Sequence, residues 1–457
     1  MKFVNRIEEQ ERLSASINGQ SPSFVVVSGR RRIGKSTLIK KVLSPSDVYY
    51  MADQTERAHQ IELLAKEIGM RFEGFDRVIY PNWEALFLGL NQRATKRFTL
   101  CLDEFPYLAK SSPELPSLLQ KIIDAKTLKY NIIICGSSQQ LMQGLALDSH
   151  SPLYGRANQV LKILPIGITY LQELLDGTPI ETVEEYSVWG GVPRYWEIRL
   201  QNKSLKEAIT YNLLNPQGTL YEEPYRLFID DMRDIVQAST LLSFIGNGAN
   251  RISEIAARAN KPVTSLSGPL DKLITLGYIE REIPFGDNHK SSKKGIYKVA
   301  DPFMDFYFRF VVPNRSLIEL GRTDAVMEEI SARFNGYVSW HWENICRKAI
   351  SGQVFKGKRY GLASRWWGNI SPGEQMEFDV VAESTDGKSL LVGECKWSDN
   401  ENTAYLFKSI KEKIEQTHLV ENKEVIAVLF LKSNKKSDEN IFTPERIFEL
   451  LKLRLVR

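Results

Sequence analysis

Apolar residues gather in short unbroken runs at 24–27, 98–102 and 131–135. Runs of that length without polar alternation are what strands buried on both faces require. Between them, 36–42, 58–69 and 115–124 carry apolar residues at helical spacing. Strand alternating with helix predicts an α/β domain built on a parallel sheet. From about 165 to 235 the pattern becomes mostly helical, interrupted by Gly190-Gly191-Val192-Pro193.

The second half of the chain reads differently. Ile252, Ile255, Ala256 and Ala259 predict a short amphipathic helix, and Lys261-Pro262 a turn. A second helix over 265–276 ends at Gly277, the residue type helices favour just past their last turn. Segments 278–284 and 295–300 then alternate like two strands around a charged loop. That order predicts a winged helix-turn-helix. Beyond it, Phe334, Val338, Ile345 and Ala349 share one side of a helix. Strands are expected at 378–382 and 389–395, joined through Asp386-Gly387 as a hairpin. A helix over 404–416 and a strand over 425–430 follow. Pro313-Asn314-Arg315 is the most linker-like boundary. The expected domains are therefore 1–165, 166–235 (a helical lid), 236–312 and 313–457.

Composition adds limits. With 457 residues the chain is long enough for about three domains at roughly 150 residues each. A net charge of +4 permits a nucleic-acid partner without arguing for one, so such a partner must be sought in local patches. Cys101, Cys135, Cys346 and Cys395 form no CxxC pair, which argues against zinc and for buried thiols in a reducing compartment. The opening residues lack the apolar stretch of a signal peptide. No run approaches the roughly 18 apolar residues of a membrane helix. A cytoplasmic protein with no membrane partner is expected.

The chemistry begins at Gly29-Arg30-Arg31-Arg32-Ile33-Gly34-Lys35-Ser36, which fits G-x-x-x-x-G-K-[ST] between a strand and a helix. Gly29 and Gly34 let backbone amides approach phosphates, and the helix start adds its positive dipole end. Lys35 would reach the β- and γ-phosphates, and the Ser36 hydroxyl would coordinate Mg²⁺. Thr37 is counted with these nucleotide-binding residues. Asp103, at the end of the second apolar strand, would help to hold Mg²⁺, and Glu104 would polarise an attacking water. No guanine-reading N-K-x-D motif occurs, which favours ATP. Ser137, after the third strand, would sense the γ-phosphate, and Arg156 would neutralise transition-state charge. An arginine acting in trans would require a homo-oligomer.

Phe3-Val4-Asn5-Arg6, Glu9, the P-loop, Asp103-Glu104, Gly136-Ser137-Ser138, Leu153-Tyr154-Gly155-Arg156 and Gly190-Gly191-Val192-Pro193 together resemble the archaeal-type ATPase family, relatives of AAA+ and signal-transduction ATPases. The resemblance covers roughly the first half of the chain. It implies an ATP-driven molecular switch and places Arg6 near the adenine. Asn5 departs from the small residue many members carry there.

Two further sites are legible. The expected wing carries His289, Lys290, Lys293 and Lys294, which suit a DNA backbone. The preceding helix has no arginine-rich reading face, so an interdomain joint is the plainer alternative. In the C-terminal segment, Asp379 is followed by Glu394-Cys395-Lys396. Strand alternation puts Glu394 and Lys396 on one face and Cys395 on the other. Two carboxylates and a lysine around one divalent ion suit phosphodiester cleavage, with Glu343 as a third acidic group. The order of helix glutamate, Asp and Glu-x-Lys resembles PD-(D/E)XK nuclease-like domains. Arg365-Trp366-Trp367, Glu377-Phe378-Asp379-Val380-Val381-Ala382 and Gly393-Glu394-Cys395-Lys396-Trp397 resemble the domain of unknown function that often follows archaeal-type ATPases. The expected function is an ATP-hydrolysing switch, dependent on Mg²⁺, that controls this metal-dependent nuclease-like domain. The first rival is an ATP-gated DNA-binding regulator whose end domain only docks. A second is an NTPase acting on a protein partner.

Overall fold

The apolar runs become the strands of a parallel sheet because nothing polar interrupts them: β1 (Phe24–Ser28), β3 (Thr99–Asp103) and β4 (Asn131–Gly136) are buried along their whole length. With β2 (Val48–Met51) and β5 (Gln159–Lys162) they form the order β2-β3-β4-β1-β5, every pairing parallel. The computed structural model describes residues 4–232, 234–288, 291–371, 374–417, 419, 423–435 and 438–455. It divides into two compact bodies. The first comprises Met1–Ile166 with Val192–Arg194 and Leu227–Arg233; the second holds the remainder.

In the first body, Phe24, Val26, Leu100, Ile132 and Ile134 pack against helix Arg57–Gly69 through Ile61, Leu64 and Ile68. Helix Trp83–Arg93 adds Trp83, Leu86, Phe87 and Leu90. Each such buried side chain contributes roughly 1.5–3 kcal/mol by leaving water. Asn82 caps that helix by accepting from the Ala85 N–H. The helix escapes a reading based on strand–helix alternation alone, because its polar and apolar residues are only weakly segregated.

The second body contains helices Ile235–Gly246, Ile252–Ala259 and Ser267–Thr275, followed by an antiparallel hairpin of β6 (Ile279–Glu282) and β7 (Ile296–Val299). His289 and Lys290 lie outside the described residues; Lys293 and Lys294 are exposed. Helix Thr323–Ile350 then spans 28 residues and buries Val326, Ile330, Val338, Trp342, Ile345 and Ala349 on one side. Pro313-Asn314-Arg315 lies within this body, where the Arg315 guanidinium pairs with Glu222 and Glu319.

A small hairpin, β8 (Val354–Phe355) with β9 (Lys358–Arg359), leads into a second sheet. Its strands are β10 (Ser364–Ser371), β11 (Glu374–Glu383), β12 (Ser389–Lys396), β13 (Glu424–Leu431) and β14 (Ile441–Phe442), in that order. The first three run antiparallel and the last three parallel. Phe378, Val381, Leu390, Val392, Leu429 and Leu431 form a core with Leu406 and Ile410 of helix Thr403–Glu415. All four cysteines are free and buried. Among the described residues no helix is long and apolar enough to cross a membrane.

Candidate functional site

The P-loop leaves β1 at the carboxyl end of the sheet, where ligands of open α/β sheets bind. Gly29 is obligatory there, because a Cβ would stand 2.6 Å from the Ile163 carbonyl oxygen. Gly34 has φ +91 and precedes helix Lys35–Val42. The buried Lys35 ammonium donates to the Gly29 and Arg30 carbonyls at 2.8 and 2.9 Å. Arg6 is also buried and donates to the carbonyls of Ile33 and Leu164, tying the N-terminal segment to the back of the loop. Thr37 is exposed in the first turn of the helix.

β4 lies between β1 and β3, and its end brings Ser137 beside the acidic pair. Ser36 Oγ donates to Asp103 Oδ2 at 2.6 Å, Tyr49 Oη donates to the same oxygen, and the Glu104 N–H donates to Oδ1 at 2.9 Å. Burial pushes the Asp103 carboxyl up, but donors from Ser36, Tyr49, Cys135 and the Glu104 backbone outweigh it, so Asp103 titrates below the ordinary range. Glu104 sits in the left-handed region at φ 52. Its Oε2 accepts from the Ser137 N–H and hydroxyl at 3.2 and 3.0 Å. Lys35, Ser36, Asp103, Glu104 and Ser137 thus stand at one end of the sheet. A hydroxyl and an ionised carboxylate are a donor set that suits Mg²⁺.

Arg156 is placed elsewhere. The Asn158 N–H donates to the Phe24 carbonyl at the first residue of β1, so Arg156 lies at the edge opposite the P-loop. Its guanidinium forks onto Asp124 at 2.9 Å through Nε and Nη2. The reason is order along the chain: Gly155-Arg156 precedes β5 rather than following it. Tyr49 and Cys135 are partners that the sequence reading missed. Pro193 belongs to the first body, and its ring lies 3.8 Å from where a Cβ on Gly34 would stand.

In the second sheet, Val380 pairs with Gly393, which sets Asp379 opposite Glu394. Asp379 Oδ2 accepts from the Cys395 N–H at 2.8 Å. Burial first, then the negative charges of Glu343 and Glu394, push its carboxyl up to about 7. Lys396 Nζ lies 2.9 Å from Glu394 Oε1, and Lys413 Nζ lies 3.1 Å from Oε2. Burial lowers Lys396, but Glu394 and Asp379 outweigh it and hold its ammonium above the ordinary value. Arg347 donates to the Asp379 carbonyl at 2.8 Å and reaches Glu343 at 3.5 Å. Its other nitrogen lies 3.3 Å from Glu282 on β6, which pairs in turn with the buried Lys298. The expected Asp379, Glu343, Glu394 and Lys396 therefore converge. Lys413, Arg347 and Glu282 join them from elements whose periodicity carries no hint of it. Among the described residues, no group of three or more His, Cys, Asp or Glu is gathered so as to hold a metal.

Residues 3–197 match the family described as "ATPase domain predominantly from Archaea", and residues 307–414 match "Archaea bacterial proteins of unknown function". The chain is 30% identical to "Uncharacterized protein MJECL04" of Methanocaldococcus jannaschii over 95% of its own length and 97% of that protein's. It is 49% identical to "Uncharacterized ATP-binding protein MJ0423" of the same organism over 41 residues, 9% of this chain and 70% of that one. The Walker-type ATPase PABY2304 of Pyrococcus abyssi is similar in structure, with a TM-score of 0.53 at 21% identity, covering 67% of this chain and 96% of that one. The chain belongs to the archaeal ATPase family and carries that family's C-terminal domain of unknown function.

Proposed function

We propose that this chain is an ATP-hydrolysing switch whose nucleotide state controls a metal-dependent, phosphodiester-cleaving site in its C-terminal domain. The observation that carries the first half is the convergence of Lys35, Ser36, Asp103, Glu104 and Ser137 at the mouth of one P-loop. Lys35 binds the β- and γ-phosphates, and Ser36 with Asp103 would hold Mg²⁺. Bound there, the ion neutralises charge on the phosphate oxygens. Glu104 is the base that orients water. Ser137 now donates to Glu104, and a γ-phosphate competes for those donors, so its arrival frees Glu104 to face the water. Arg6 braces the loop from behind. Arg156, at the opposite edge, could serve only a neighbouring copy.

The second half rests on Asp379 opposite Glu394: burial, then the charges of Glu343 and Glu394, push its carboxyl up, and a cation between the carboxylates would relieve that. Asp379 and Glu394 would hold the ion, which would activate water, with Glu343 facing Arg347 and adding negative charge beside them. Lys396 would steady developing charge. Helices Ile252–Ala259 and Ser267–Thr275 with the β6–β7 hairpin suit a winged helix that carries DNA or transmits the switch. The rival, a DNA-binding regulator with a silent end domain, is favoured by one observation: Lys396 and Lys413 both sit on Glu394.

Purified protein with plasmid or single-stranded DNA, ATP, and Mg²⁺ or Mn²⁺ separates them. Cleavage lost in Asp379→Ala and Lys396→Ala, and altered in Lys35→Ala, supports the proposal. Scission that persists unchanged in the Asp379 and Lys396 variants, or a C-terminal activity indifferent to Lys35, sinks it. Binding of DNA that follows nucleotide state without any scission would favour the regulator.

A further inference from the structure

Helix Thr403–Glu415 covers the second sheet through Leu406 and Ile410, both buried. Position 413 continues their face at the i, i+4, i+7 spacing, where another apolar side chain is expected. The residue there is Lys413, and its ammonium lies 3.1 Å from Glu394 Oε2. Lysine is rarely turned inward unless an acid meets it. Lys408 and Lys411 of the same helix are exposed.

The Glu394 side chain is 14% exposed, and each of its oxygens has an ammonium: Lys396 on Oε1 at 2.9 Å and Lys413 on Oε2. A carboxylate this enclosed needs such partners. The two lysines are not equivalent. Lys396 stands two residues along β12, so strand alternation fixes it beside Glu394, and it feels the charge of Asp379 as well. Lys413 reaches in from a separate element, near the last turn of its helix, and its side chain is 30% exposed. A divalent ion shared by Asp379 and Glu394 has to take a Glu394 oxygen at about 2.0–2.1 Å for Mg²⁺. Like charges that close repel strongly in a partly buried site, so one ammonium has to withdraw. Lys413 is the one with a path into water.

We propose, on the reading of Asp379 and Glu394 as ligands of one ion, that Lys413 competes with that ion for Glu394 and sets the metal concentration at which the C-terminal site loads. Lys413 is a positioning residue: it holds the carboxylate until the ion replaces it, and takes no part in bond cleavage.

The test is Mn²⁺ binding to the full chain, without nucleotide or DNA, followed by calorimetry at one fixed pH. The C-terminal component is the part of the binding that Asp379→Asn removes. Lys413→Met, which drops the charge and keeps much of the side-chain length, should tighten that component by roughly ten- to a hundredfold, the weight of one hydrogen bond to a charged group. Lys413→Arg, which keeps the charge, should bind Mn²⁺ as the parent does, and so should Lys408→Met on the exposed side of the helix. A component unchanged or weakened in Lys413→Met overturns the proposal, as does an equal gain in Lys408→Met, which would mark a general effect of net charge. Mn²⁺ binding that Asp379→Asn leaves intact, in the parent and in Lys413→Met alike, would instead remove the metal site itself and the competition with it.

Discussion

Asp103, the last residue of β3, and Asp379, midway along β11, are both buried aspartates, yet their surroundings push them in opposite directions. Asp103 is surrounded by donors and stays ionised. Asp379 has the Cys395 N–H and two acidic neighbours, and holds its proton up to about neutral pH. One site is complete in charge before a ligand arrives. At the other, burial and two acidic neighbours still push the acid up to about 7. A switch domain benefits from the first arrangement, since its acid must hold a metal–nucleotide at once. On the proposed function, a metal site idle until loaded would benefit from the second.

The largest expected effect falls on the first site. Glu104→Gln should lower ATP turnover by about 10²–10⁴-fold while leaving ATP bound, because a positioned base contributes about that much. Single-turnover hydrolysis beside an ATP-binding isotherm checks it. If turnover survives, Glu104 is merely a helix-start residue and the contrast with Asp379 loses half its content.

The next largest tests what braces the second site. Glu282 on β6 pairs with Lys298, whose side chain is only 2% exposed, and with Arg347, which in turn holds the Asp379 carbonyl and Glu343. Glu282→Gln leaves two buried cations short of charge and should cost about 3 kcal/mol in urea unfolding. Nucleotide affinity should not change. A loss confined to nucleotide binding would show that the hairpin serves the other site.

How much of this contrast the sequence held depends on where each partner comes from. Unbroken runs such as Phe24-Val25-Val26-Val27 and Asn131-Ile132-Ile133-Ile134-Cys135 are visible because burial on both faces leaves no polar choice. Glu394 and Lys396 are visible because strand alternation puts them on one face. Strand β10 was not, since register shifts between Ser364 and Trp366 and between Asn369 and Ser371 break its period. Tyr49 lies on the outer strand β2, and nothing local links it to a carboxylate 54 residues on. Arg156 shows the opposite failure. Spacing sets it close to β5, but which end of the sheet it occupies depends on whether it precedes or follows that strand.

A smaller effect separates the two aspartates by pH. The Asp379 pKa in the fold, about 7, lies above its ordinary value of 3.8. The folded chain therefore keeps a proton that the unfolded chain has lost between those values. That contribution is fully present below the ordinary value and is lost as pH rises through about 7. Asp379→Asn, always neutral and still able to accept from Cys395, escapes the loss. It should be more stable than the parent by about 1–2 kcal/mol at about pH 8, with the gap closing only toward about pH 4. Added Mg²⁺ should then stabilise the parent and not the variant. A gap that grows in acid would reverse the reading of this site.

The smallest effect has the opposite sign on the same axis. Tyr49→Phe removes one donor from Asp103 Oδ2 and leaves Ser36 in place. A hydrogen bond to a charged group contributes about 1.5–3 kcal/mol, and a neutral one about half that, so with Ser36 retained the loss should be near 1 kcal/mol. The Asp103 pKa is lowered in the fold, so its contribution is present above the unfolded value and lost as pH falls through the folded one. The cost of Tyr49→Phe should therefore be full at neutral pH and fade in acid, where Asp379→Asn also ceases to matter. Paired unfolding curves for the two variants would show one gain and one loss, both confined to the pH range in which the carboxylates carry charge. Two curves of the same sign would mean that the donors around Asp103 are incidental, and that burial alone governs both acids.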